Sequence, residues 1–137
     1  MLDLYQHLIA QDQRCPPETA QRIFESFSSY AGSSFLLGEF GSTLVATCTV
    51  IVVPNLARGG VPFALIENVV THFDFRNRGF GKAILAAAAE LAWAKGYYKV
   101  MLMTGLKKPE TVAFYHSAGF ERTKSAFEIR RIGARPE

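Results

Sequence analysis

Arg76-Asn77-Arg78-Gly79-Phe80-Gly81-Lys82 is the stretch of this chain best suited to chemistry. Paired glycines let a backbone turn tightly and come close to a ligand. If a helix starts here, its first amides lack partners and its dipole favours an anion. Arg76, Arg78 and Lys82 add positive charge to the same turn. The stretch therefore predicts a phosphate or pyrophosphate cradle. Two familiar phosphate loops are excluded. A Walker loop needs Gly at 76 and Ser or Thr at 83, where Arg76 and Ala83 stand, and a dinucleotide fingerprint needs Gly at 84, where Ile84 stands.

Glu67 is the next candidate, an acidic residue in a largely apolar run over 63–70. Unpaired charges are rarely buried, so the side chain is expected to reach a water-filled cleft. There it could take a proton from an ammonium or attract a cationic amine. A cross-strand ion pair or a surface-facing position explains it equally well. His7, His72 and His116 share no ligand spacing with cysteines or carboxylates, so no metal site is predicted. Cys15 and Cys48 make no disulfide framework, and Cys48 reads as a small core residue.

These residues need elements to position them. Apolar spacing predicts helices over 2–10 and 18–27, separated by Pro16-Pro17. Strands follow over 35–40 and 43–53, joined at Gly41-Ser42, and over 63–71 after a Gly- and Pro-containing loop at 54–62. The clearest helix runs over 79–95, with Phe80, Ile84, Ala87, Ala88 and Leu91 on helical spacing and Gly96 at its end. A strand at 98–103, a helix at 110–117 and an alternating strand at 124–131 complete the chain. Trp93, Met101 and Met103 read as core. The order predicts an α/β (α+β) fold, a mixed sheet with helices on its faces.

At 137 residues the chain is predicted to be one domain over 1–137. Fifteen Lys and Arg against 12 Asp and Glu give a net charge of +3, which suits a small anion better than a nucleic-acid track. No signal peptide opens the sequence, and the apolar stretch 43–57 is too short and too punctuated to span a membrane. A cytoplasmic protein is expected.

Arg-x-x-Gly-x-Gly between a strand and a helix resembles the acetyl-CoA pyrophosphate loop of the GNAT superfamily of N-acetyltransferases. Leu65 to His72 resembles that family's central strand. Thr111-Val112-Ala113-Phe114-Tyr115, with Ala118-Gly119-Phe120, resembles its later helix and the Gly-Phe that closes it. The resemblance covers about 35–131. It implies a mostly antiparallel sheet flanked by helices, here without the family's first edge strand. It implies acetyl-CoA as donor and an unidentified primary amine as acceptor, joined in a ternary complex without a covalent enzyme intermediate. By the same resemblance Val69, Val70, Thr71, Arg76, Asn77, Arg78, Gly79, Phe80, Gly81, Lys82, Thr111 and Phe114 bind the cofactor. The amide of Val70 steadies the oxyanion, and Tyr115 protonates the departing thiolate. The family commonly forms homodimers. A non-catalytic CoA-binding sensor of the same fold is the alternative reading, and turnover separates the two.

Overall fold

A computed structural model describes residues 1–105 and 108–134. They form two compact units, 1–102 and the remainder from Met103.

The first unit is a four-stranded sheet in the order β1-β2-β3-β4, with strands Ser34–Phe40, Thr43–Val53, Phe63–Thr71 and Val100–Leu102. The β1–β2 and β2–β3 pairs are antiparallel, and β3–β4 is parallel. β2 is the most deeply buried strand: from Val45 to Val50 every residue is buried on both faces. Its run of Val, Thr and Ile suits a strand covered on both sides, because branched side chains pack well on a pleated surface.

Helix α1 spans Leu2–Tyr5 and α2 spans Pro17–Ser28. Pro17 opens α2 where its missing N–H is no loss. Tyr30 Oη donates to Val52 O (2.6 Å), and Ser33 Oγ accepts from Val52 N (3.0 Å), so the link after α2 is tied to the end of β2. Helix α3, Phe80–Ala94, buries Gly81, Ile84, Leu85, Ala88 and Ala92 along one stripe. The alanines let the helix lie close to the sheet. Gly96, with φ of 76°, ends it: Gly96 N donates to Trp93 O and Tyr97 N to Ala92 O. Burying Leu85 alone contributes about 1.5–3 kcal/mol.

The second unit contains α4, Pro109–Ser117, closed by a bond from Phe120 N to Tyr115 O of 3.0 Å.

Strands β1, β2 and β3 match their predicted bounds to within a residue, and no strand precedes α1 among the described residues. Four expectations are corrected. The first helix stops at Tyr5 rather than running to 10, the rest being turns. β4 has three residues rather than six. The segment 124–131 forms no strand. Its alternation of charged and apolar residues suits a strand, but a strand needs a ladder partner, and Phe127 and Ile129 stand 96% and 99% exposed. Trp93 and Met103, each 54% exposed, are not core.

Candidate functional site

The path from β3 into α3 is shaped by three left-handed residues. Asn68 (φ 50°) lies inside β3, Asn77 (φ 60°) in the turn, and Gly79 (φ 86°) at the N-cap of α3. Asn and Gly are the residues that adopt this conformation at low cost. Gly79 offers no side-chain cap, and the first bond of the helix runs from Ala83 N to Gly79 O. The amides of Phe80, Gly81 and Lys82 therefore have no intrahelical acceptor and are available to an anion.

The three cations divide their work. The Arg76 guanidinium donates to His7 O (2.7 Å) and Thr71 O (3.3 Å), so it braces the turn instead of reaching outward. Arg78 lies 5.0, 5.1 and 5.4 Å from the ring centres of Phe40, Phe75 and Phe80. Such a cation–π nest fixes an otherwise mobile side chain. Lys82 is exposed on the first turn of α3. The sequence shows the charges of Arg76 and Arg78 but not these partners, of which His7 and Phe40 lie far along the chain.

Beside the turn, His72 Nδ1 accepts from Asp74 N (3.2 Å) and His7 Nδ1 from Phe73 N (3.5 Å), with the two imidazole centres 4.0 Å apart. Partial burial, then His72 and Arg76, hold the His7 pKa below its ordinary value.

The register of β3 sets its free amides. Thr49 pairs with Glu67 and Thr47 with Val70, so Asn68 and Val69 together oppose Cys48 in a β-bulge. His72 N donates to Val45 O (2.8 Å), and by alternation Val70, opposite Thr47, turns its amide the same way into β2. This corrects the expectation for Val70: its amide is engaged in the ladder, and its side chain is core. The amides of Val69 and Thr71 point to the opposite edge. There the ladder to β4 ends at Ile66↔Leu102, so these two have no strand partner among the described residues. The bulge at Asn68 was missed in the sequence; its signal is an Asn inside a β-branched run.

Glu67 is half-buried on β3. Cys48 is fully buried, and burial pushes its thiol up to about 12, which disables it as a nucleophile. No group of His, Cys, Asp and Glu fit to hold a metal occurs among the described residues. Nor, among them, is any helix long and apolar enough to cross a membrane. In the second unit, α4 carries Thr111, Phe114 and Tyr115, all half-buried, with the Phe114 and Tyr115 rings 5.0 Å apart.

Known proteins share this architecture. The profile of the acetyltransferase (GNAT) family matches residues 1–120. N-acetyltransferase 8 of Rattus norvegicus is 31% identical over 105 residues, covering 77% of this chain and 47% of the relative. A glucosamine 6-phosphate N-acetyltransferase of Trypanosoma brucei brucei is 34% identical over 77 residues, 56% of this chain and 50% of the relative. The chain thus spans about half the length of these curated relatives. A solved structure from Agrobacterium tumefaciens strain C58, provisionally described as an acetyltransferase, superposes with a TM-score of 0.89 at 39% identity and covers 95% of this chain and 90% of its own. The family match takes in the sheet, the glycine turn and α4 alike, and the chain belongs to the acetyltransferase (GNAT) family.

Proposed function

We propose that residues 1–137 act as one domain that moves an acetyl group from acetyl-CoA to a primary amine by direct attack. The observation that carries this reading is two sets of uncommitted amides in the first unit: those of Phe80, Gly81 and Lys82 at the start of α3, and those of Val69 and Thr71 beyond the end of the β4 ladder. The first set suits a pyrophosphate. The second suits the amide-rich arm of CoA and its thioester carbonyl. Thr111 and Phe114 are proposed beside the cofactor.

The amine, relieved of its proton by Glu67 or by a water that Glu67 holds, attacks the thioester carbon. The carbonyl oxygen takes the negative charge, and the Val69 amide donates to it. As the carbonyl re-forms, the C–S bond breaks and Tyr115 gives its phenol proton to the sulfur. CoA leaves as the thiol, the attacking nitrogen gives up its second proton through water to the Tyr115 phenolate, and the product is the N-acetyl amine. The name of the trypanosomal relative supports an amino-sugar phosphate as one acceptor to try. A homodimer in the cytoplasm is the proposed setting, supported for the dimer by exposed Phe127, Ile129 and Ile132.

The test is acetyl-CoA consumption against a panel of amines that includes glucosamine 6-phosphate. Tyr115→Phe should keep acetyl-CoA affinity and lose roughly 10²–10⁴-fold in kcat, the usual worth of general acid assistance. Binding of CoA without consumption across the panel would point to a sensor. A kcat within about threefold of the parent would give the proton to another donor.

A further inference from the structure

One buried polar group is left over. Thr49, in the middle of β2, is 6% exposed, and its Oγ1 is the one buried side-chain nitrogen or oxygen among the described residues without a hydrogen-bond partner. Thr47, two residues earlier on the same face, shows the ordinary solution: its Oγ1 donates to Leu36 O at 2.7 Å. A buried hydroxyl without a partner costs about 1–3 kcal/mol, so its retention in a dense core asks for a reason.

The register supplies one. Thr49 is the cross-strand partner of both Phe35 on β1 and Glu67 on β3. Partners in an antiparallel pair project to the same face, with Cβ atoms about 4.5–5.5 Å apart. The hydroxyl of Thr49 and the carboxylate of Glu67 are therefore neighbours in one row. Glu67 has no hydrogen bond or ion pair among the described residues. The rest of the row is apolar: Phe35 lies against Phe27 (4.3 Å) and Phe24 (5.9 Å) of α2. The next residue after Glu67 is Asn68, where the bulge begins that frees the Val69 amide.

We propose that Thr49 and Glu67 bind the same ammonium nitrogen, that of the acceptor amine. Glu67 accepts one N–H and takes the proton. Thr49 Oγ1 accepts a second and holds the nitrogen against its aromatic wall while the lone pair turns to the thioester. The acceptor class is a primary amine small enough near its nitrogen to lie between two strand side chains. This deepens the acetyltransferase reading and rests on it.

Two experiments decide the matter separately. The first needs no turnover: crystals of the chain with CoA are soaked with methylammonium as the probe. Its nitrogen should lie about 2.7–3.2 Å from both Thr49 Oγ1 and the Glu67 carboxylate. Methylammonium elsewhere, or a Thr49 hydroxyl satisfied by a backbone carbonyl, overturns the assignment. The second compares Thr49→Val with Thr49→Ser, using glucosamine 6-phosphate as probe amine. Val keeps the shape, removes the orphaned hydroxyl and should fold with an equal or higher Tm. It should raise KM for the amine roughly tenfold or more, the usual cost of losing a bond to a charged group, while Ser restores it and CoA affinity stays unchanged in both. Equal KM values in Val, Ser and parent would falsify the role of Thr49. If the parent does not turn over this amine, that acceptor fails, and the crystal still decides Thr49.

Discussion

Asn68 shows how one backbone angle sets the direction of a neighbouring amide. Its φ of 50° places two residues opposite Cys48 and swings the next amide to the open edge of β3. Asn68→Gly should stay within about 0.5 kcal/mol of the parent, because Gly adopts this angle freely. Asn68→Val should cost about 1–3 kcal/mol, since a β-branched residue resists positive φ. It should also raise KM for acetyl-CoA through the displaced Val69 amide. Chemical denaturation with steady-state kinetics reads both, and equal behaviour of the two variants would remove Asn68 from its role. Much at this scale was visible beforehand. The glycine turn announces itself because glycines, cations and a helix start are neighbours in sequence. That the Val69 amide faces the open edge and the Val70 amide faces β2 was not visible, because amide direction depends on register with a strand about twenty residues away. The brace made by Arg76 is hidden for the same reason: its acceptor on His7 lies 69 residues earlier.

Strands and helices were legible to the extent that they bury a face. β2, β3 and α3 have long apolar patterns, and the predicted and observed bounds nearly coincide. Short elements were not. α1 keeps one turn, with Leu4 buried, and the chain after it continues in turns, His7 N donating to Leu4 O and Leu8 N to Tyr5 O, while side chains tie it to other elements. The sharpest of these is the His7 clamp on the β3–α3 turn. His7 accepts a proton less readily in the folded chain than at its ordinary pKa of 6.5: partial burial, His72 and Arg76 lower it, outweighing Asp74 and Asp3. With the folded pKa below the unfolded one, the neutral ring contributes stability above pH 6.5 that is lost as pH falls through the folded value. Protonation also places a hydrogen on Nδ1, where the Phe73 amide now donates. The parent's Tm should therefore drop between pH 7.5 and 5 by more than that of His7→Gln. Parallel curves would show that His7 does not titrate with folding.

Across the molecule, the least legible part was the segment after α4, where every residue from 121 to 134 is exposed. Its alternating pattern signals a strand, yet pairing is decided by what lies beside it, and no sequence pattern carries that. The consequence is calorimetric. Unfolding raises heat capacity by about 12–15 cal/mol/K per residue because apolar surface becomes hydrated. Residues 121–134 are already hydrated in the single chain, so they add almost nothing, a shortfall of roughly 0.2 kcal/mol/K. In the proposed homodimer the partner dries Phe127, Ile129 and Ile132, the shortfall closes, and Tm rises with protein concentration. Phe127→Asp with Ile129→Asp should reopen the shortfall and flatten the concentration dependence, leaving Tm at high dilution unchanged. A heat capacity that never varies with concentration means that the folded chain keeps this strip of apolar surface permanently in water.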